Sequence, residues 1–334
     1  MLSDMEATYI VKDGSLVFTT PHKEKDTLSP RLYPVEDLIG DNEHAAVRDC
    51  RRLIEVTKAT VLPDSWDDYG GSCTMNPMPP GNPRALLVSA HHGMHEAVQE
   101  FLDMLRLAKS ADPKNVPVSI GRPISAMEKK IAAALKSPTS VNFEKTSFDE
   151  AMRSLAKQHG IAIVVDCRAL DDFGVDPATP FWRKMDDVPL EEVLRSMLDN
   201  LELTYRIKHE VLLITTLDEH SQCLDVRAYP LAGVMPQPRR KYKARERYAD
   251  KLVKTLHAVI EPESWDVAGA MGVAQPLLLE DFDVLIVSQL PEIHEQIGGL
   301  LSREEFRHAK WIRKKDMPPK IPPGGMGGTG GGMF

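Results

Sequence analysis

Apolar residues return along this chain with two periods, and the switching between them lays out the elements. Phe148, Met152, Leu155 and Ala156 recur at helical spacing. The stretch opens on Ser147-Phe148-Asp149-Glu150, a capping box in which Ser147 and Glu150 satisfy each other's orphan amides. Gly160 stops that helix, and Ile161 to Val165 reads as a buried strand. A second helix opens at Pro189, whose missing amide hydrogen is no loss at a first helical position. Its stripe is Leu190, Val193, Leu194, Met197 and Leu198. Leu203, Tyr205 and Ile207 then alternate, and Val211 to Ile214 is the second strand of the same hairpin. With strands at Val141 to Phe143 and Phe181 to Met185, this spacing predicts an α+β sandwich of two helices on small sheets.

The two flanks share a different order. A strand at Leu32 to Val35, or Val226 to Leu231, precedes a helix carrying Leu53, Ile54 and Val56, or Leu252, Val253 and Leu256. A Ser-Trp-Asp segment follows, then a hairpin ending in Ala85 to Val88, or Val284 to Val287. A last helix bears Met94, Val98, Phe101, Leu102 and Leu105, or Ile293, Ile297, Leu300 and Leu301. The order β-α-β-β-α is that of a small KH-like domain. Between the first flank and the centre, Ser110 to Pro123 is a polar connector leading into a short helix, Ser125 to Leu135. After Pro318 come Pro pairs and GGMGGTGGGMF, a composition that buries no core and predicts disorder.

The flanks are copies. ATYIVKDGSLVFTT, residues 7–20, returns ungapped as LTYRIKHEVLLITT, residues 203–216, with 6 of 14 positions identical. Tyr33-Pro34 recurs at the same offset of 196 as Tyr229-Pro230. At an offset of 199, Pro63-Asp64-Ser65-Trp66-Asp67 answers Pro262-Glu263-Ser264-Trp265-Asp266, and His95-Glu96 answers His294-Glu295. A residue that carries chemistry alone should therefore stand out against its copy.

The central stretch, VNFEKTSFDEAMRSLAKQHGIAIVVD with VPLEEVLRSMLDNLELTYRIKHEVLLITT, resembles the short N-terminal (STN) domain shared by secretins and TonB-dependent receptors. The flanking modules resemble the KH-like secretin N-terminal domain that follows it in those proteins. The resemblance runs from Ala7 to Arg307 and rests on hydrophobic pattern and element order; no secretin pore domain follows. It implies tandem α+β domains. These are a hairpin remnant of an STN-like unit at 1–20, a KH-like module at 21–110, a linker and short helix at 111–137, an STN-like domain at 138–218, a second KH-like module at 219–311 and a disordered tail at 312–334. Thr8 to Thr20 matches only the last hairpin of an STN domain, with Asp13-Gly14 as a type I′ turn. Such a hairpin is marginal alone in water, so it is expected to dock elsewhere or to belong to a longer repeat protein.

Composition narrows the chemistry. Of 334 residues, 41 are Lys or Arg and 49 Asp or Glu, a formal net charge of -8 that disfavours nonspecific nucleic-acid binding. Cys50, Cys73, Cys167 and Cys223 form no paired motif, so neither a disulfide framework nor a structural zinc is expected. No run of 18 apolar residues spans a membrane, and the start lacks the basic and apolar segments of a secretory signal. Taken literally the chain stays in the cytoplasm; a longer native form with an upstream signal would place it in the periplasm or cell envelope.

Three groups of residues are candidates for function. His91, His92 and His95 form the one metal-like cluster, and a metal-dependent hydrolase is the enzymatic alternative. The copy argues against it, because the equivalent positions are Leu290, Pro291 and His294. Trp66 and Trp265 recur, as buried anchors or as partner-facing aromatics. Arg239, Arg240, Lys241, Lys243, Arg245 and Arg247 form a basic segment without a basic counterpart in the first copy. It is read as a solvated loop, as a patch for an acidic protein partner, or as a nucleic-acid contact. For the last, no GxxG loop stands in the right place. The sequence thus predicts a noncatalytic, modular protein-binding or assembly protein without a cofactor, a homo-oligomer or scaffold that works through strand edges and helix faces.

Overall fold

The computed structural model describes residues 8–302 except 13–14, 82, 112–118, 123, 167–169, 172–173, 175, 177, 179, 209 and 232–241. The Asp13-Gly14 turn, Cys167, Arg239 to Lys241 and the Pro/Gly tail lie outside the described residues.

The chain opens on a hairpin of β1 (Thr8–Lys12) and β2 (Ser15–Thr19), followed by a short helix α1 (Pro21–Asp26) capped by Thr20. The first KH-like module then runs β3 (Ser29–Pro34), α2 (Glu43–Thr60), β4 (Thr74–Met78), β5 (Ala85–Ala90) and α3 (His92–Ser110). Its sheet is ordered β3-β5-β4, all antiparallel. Asn42 caps α2 through the Ala45 amide at 2.9 Å, and Leu53, Val56, Met94, Phe101 and Leu105 are buried, as their spacing requires.

The central unit comprises α4 (Ala126–Leu135), β6 (Pro138–Ser147), α5 (Phe148–His159), β7 (Ile163–Val165), β8 (Pro180–Pro189), α6 (Leu190–Leu198), β9 (Leu203–Lys208) and β10 (Val211–Thr216). β6 pairs with β8, and β7 runs parallel to β10 in the order β7-β10-β9. The Ser147–Glu150 capping box is present, and Gly160 closes α5 at φ 59°. Every residue of the Leu190 to Leu198 stripe is buried.

Two boundaries differ from the sequence expectation. α4 is no linker helix: Ile131, Ala134 and Leu135 enter the same core as Phe148, Leu155 and Leu194. Ser125 and Glu128 make a second capping box there, and Arg122 reaches both Glu128 oxygens, at 3.0 and 2.7 Å. β6 also extends far past Val141 to Phe143, because its outward-facing Asn142 and Glu144 hide the alternation from a hydrophobicity count.

After α7 (Leu217–Ser221) the second module repeats the first as β11 (Asp225–Pro230), α8 (Tyr242–Val259), β12 (Val273–Leu278), β13 (Asp283–Gln289) and α9 (Pro291–Leu301), with sheet order β11-β13-β12. The molecule is a tandem of small α+β domains.

The modules are not beads on a string. α2 packs on β12 and β13, and α3 on β11, so the first module's helices are held between its own sheet and the second module's sheet. One core accordingly joins Leu53, Phe101 and Leu105 to Ala228, Leu277, Val284 and Ile286. The opposite face of the second sheet, with Leu285 and Val287, packs on α8 and α9. Layers therefore alternate sheet, helices, sheet, helices, and β13 is buried along its whole length. A polar knot locks the junction: Asp49, fully buried, accepts the amides of Gly40 at 3.1 Å and Glu280 at 2.8 Å and both Arg48 donors. Arg48 in turn reaches Glu280 at 2.6 Å, and Arg52 reaches Glu246 at 2.8 Å.

Candidate binding surfaces

The recurring residues turn out to be framework. Trp66 and Trp265 are fully buried, and each indole donates to the carbonyl just past its module's first helix, Val61 at 2.8 Å and Ile260 at 2.7 Å. Neither presents a face to a partner, because the apolar ring is worth more in the core and its one donor is already used. The loop over the ring differs between copies. Lys58 lies 5.9 Å above Trp66 and bridges Asp67 and Asp68 at 2.9 and 2.6 Å, whereas His257 stacks on Trp265 at 4.6 Å. The Lys58 bond holds the Asp67 carboxyl below its usual range.

The histidines do not converge. His95 Nε2 donates to the Ser29 carbonyl at 2.8 Å, which leaves Nδ1 to accept from Tyr33 Oη at 2.9 Å. His294 repeats this with Asp225 and Tyr229, both at 2.8 Å. Burial lowers the pKa of both imidazoles, that of His294 to about 4, so each is neutral at pH 7. With both nitrogens engaged, His95 has no lone pair for a metal. His91 Nδ1 instead sits 3.0 Å from Glu24 Oε1, and His92 Nε2 3.4 Å from Glu96. Among the described residues no group of three His, Cys, Asp or Glu is placed to hold a metal ion.

A contact of the same kind with its roles exchanged stands in the second half, although His91 itself corresponds to Leu290 and Glu292 to Gly93. At offset 196 Glu24 becomes His220, and His220 Nε2 stands 3.3 Å from Glu292 at the start of α9. The last helix of each KH-like module is thus tied at its start to the short helix before the module, α1 or α7, by a histidine–carboxylate pair of opposite polarity.

Of the basic segment, Lys243 and Arg247 are exposed. Arg245 is not available: it pairs with buried Asp283 at 2.5 Å and donates to the Leu279 carbonyl. Its guanidinium and that of Arg48 flank the Tyr242 ring, at 5.5 and 5.1 Å. The cleft this creates, about 420 Å³ between α2 and α8, is invisible in the sequence, because Arg48, Arg51 and Arg52 meet Tyr242 only when the modules stack. Its arginines Arg48 and Arg52 are balanced by Glu280, Glu55 and Glu246.

The surface that stands out lies at the N-terminal end. On the hairpin, Tyr9 is 38%, Leu16 57% and Phe18 63% exposed. Tyr9 pairs with Phe18 across the strands, and Leu16 lies two residues along, so the three share a face. Their counterparts at offset 196 are Tyr205, Leu212 and Ile214, of which the last two are fully buried in the central core. On the first module's sheet, Leu32 is 57% and Met78 37% exposed, and their counterparts Ala228 and Leu277 are fully buried under α2 and α3.

No protein-family model and no curated protein matches this chain. Among solved structures it is similar to a protein proposed to be an anti-sigma factor from Parabacteroides distasonis, at 19% identity over 27% of this chain and 38% of that one, with a TM-score of 0.20. It is also similar to the XcpQN012 structure, at 14% identity over 52% of this chain and 67% of that one, with a TM-score of 0.18. The chain thus spans well under half of the first of these. Neither likeness carries weight at such TM-scores, and the architecture stands on the chain's own elements. No described helix is long and apolar enough to cross a membrane.

Proposed function

We propose that this chain is a noncatalytic, modular protein-binding or assembly protein of the secretin N-terminal domain kind, a scaffold associated with the cell envelope. One observation carries the reading: apolar faces that are buried by a neighbouring element in the second half of the chain are open in the first half. Exposed, clustered apolar side chains mark interaction sites in stable proteins. The junction between the two KH-like modules is itself an example of such a face being covered, by a helix pair laid on a sheet.

The envelope assignment rests on the resemblance of the STN-like and KH-like stretches. In the family these domains stack into periplasmic rings and receive substrates or signalling partners, and the same kind of use is proposed here. The test is affinity capture of the native full-length product after in-cell crosslinking, together with cell fractionation. Recovery of envelope proteins in the membrane or periplasmic fraction is the expected result. A chain that fractionates with the cytosol and brings down no envelope protein overturns the reading.

A further inference from the structure

Trp182 stands 60% exposed on the ribbon formed by β6 and β8, in the central unit between the two KH-like modules. The inner face of that ribbon, with Val141, Phe143 and Met185, packs into the central core. Trp182 belongs to the other face, where the alternate positions hold Asn142, Glu144 and Lys184, all exposed. Glu144 lies directly across from Trp182, and Asn142 across from Lys184. Among the described residues no hydrogen bond or ion pair engages the side chains of these three, nor the indole N–H. The strand register shifts on both sides of the stretch, between Thr139 and Val141 and between Glu144 and Thr146, with Lys145 and Asp187 each held at φ 55°. Such a conformation is costly for a residue with a side chain, and bulges of this kind re-aim the side chains beside a site.

A single ring among unengaged polar groups narrows the choice of ligand. A protein interface is built around a desolvated apolar centre, and the positions flanking Trp182 on this face are polar. A single-stranded nucleic acid would stack a base on the indole but brings phosphates. Along the ribbon Lys145 and Lys184 stand against Glu144, Asp186 and Asp187, two charges against three, so the local balance is -1 and repels them. A pyranose fits both features. Its C–H face is apolar and slightly electropositive and lies on the electron-rich face of an indole, while the hydroxyls around its rim donate and accept. Glu144 accepts, Lys184 donates and Asn142 does both. A chain of β-linked, all-equatorial sugars keeps its ring faces clear of hydroxyls.

We propose that the outer face of the β6–β8 ribbon is a glycan-binding site, in which Trp182 stacks on one ring of a β-linked oligosaccharide and Asn142, Glu144 and Lys184 hydrogen-bond its hydroxyls. This goes beyond the scaffold reading and does not depend on it. With one stacked ring and three polar side chains the site is shallow, and its dissociation constant is on the order of 0.1–1 mM.

The experiment is saturation-transfer NMR on the full chain with chitotetraose and cellotetraose, each from about 0.05 to about 10 mM, spanning that constant. The probes share the flat ring and differ in the acetamido group, so together they separate amino-sugar chains from plain glucans. Transfer to the ring C–H protons of at least one probe is expected. Trp182→Ala should abolish it, and Trp182→Phe, which keeps a ring, should weaken it. Asn142→Ala and Glu144→Ala should each raise the dissociation constant about two- to tenfold. Val267→Glu, at an apolar position 72% exposed elsewhere, should bind like the wild type, and circular dichroism confirms that each variant folds. A wild type that shows no transfer to either probe, or a folded Trp182→Ala that binds unchanged, overturns the proposal. A crosslinked protein partner lost on Trp182→Ala, with no glycan bound by the wild type, would make this face a protein contact, overturning the glycan site and leaving the scaffold reading standing.

Discussion

Tyr229 Oη donates to His294 Nδ1 at 2.8 Å inside the second module, and Tyr33 does the same to His95 at 2.9 Å inside the first. The pair ties the first strand of each module to its last helix across the core. Because burial lowers His294 from the ordinary 6.5 to about 4, the unfolded chain binds a proton between those values and the folded chain does not. Stability is therefore full above about pH 6.5 and falls as pH drops towards 4, by about 2–3 kcal/mol for His294 alone. Urea unfolding at about pH 7.5 and pH 5 should show the loss. His294→Gln should flatten that part of the dependence, and an unchanged slope in that variant would contradict the assignment.

The duplicated register offers an internal control on burial. Leu212 and Leu16 are the same position of the repeat, fully buried in one copy and 57% exposed in the other. Leu212→Ala should cost about 2–5 kcal/mol by denaturant unfolding, and Leu16→Ala less than about 0.5 kcal/mol in the monomer. Similar costs at both sites would mean that the hairpin face is covered within one copy.

Elements set by local spacing are legible in the sequence. The repeat, the helix stripes and the Ser147 capping box follow from spacing alone, because each is a local demand on neighbouring residues. The buried role of Trp66 and Trp265 is the favoured of two readings of the sequence, because a Trp buries a large apolar surface, and the structure bears it out. The stacking of the modules was not legible. Val56 and Phe101 lie on amphipathic helices like any others, and nothing in their spacing separates a residue facing its own sheet from one facing the sheet of the next module. The hairpin of residues 8–19 is legible as a remnant that is marginal alone, but which of its faces is open is not, and only the exposure of Leu16 and Phe18 shows it.

Asp49 tests whether the two KH-like modules unfold together. Its carboxylate is buried among the Gly40 and Glu280 amides and the Arg48 guanidinium, so Asp49→Ala takes the acceptor from both amides and from Arg48 Nε, while Arg48 Nη2 keeps Glu280. The expected cost is about 3–5 kcal/mol, with the single transition of the joined modules splitting or broadening. Calorimetry reads this directly. A variant that keeps one sharp transition at nearly the wild-type temperature would show that apolar packing alone couples the modules.

The two histidine–carboxylate pins make a prediction about exchange. In the first copy the carboxylate comes from α1 as Glu24 and the histidine from the start of α3 as His91, both nearly buried; in the second the roles are reversed in His220 and Glu292. If the contact and not the individual charge is what each junction needs, Glu24→His combined with His91→Glu should recover most of what either substitution loses. A double-mutant cycle at Glu24 and His91 should give a coupling of about 1–2 kcal/mol, and one at the more exposed His220 and Glu292 about 0.5 kcal/mol. The polarity of the second pair also fixes its response to acid. His220 holds Glu292 below its ordinary value, so that contribution is present above the unfolded carboxylate pKa and is lost as pH falls through the depressed one. Additive single-site losses at both junctions would leave the exchanged pairs without a shared structural role.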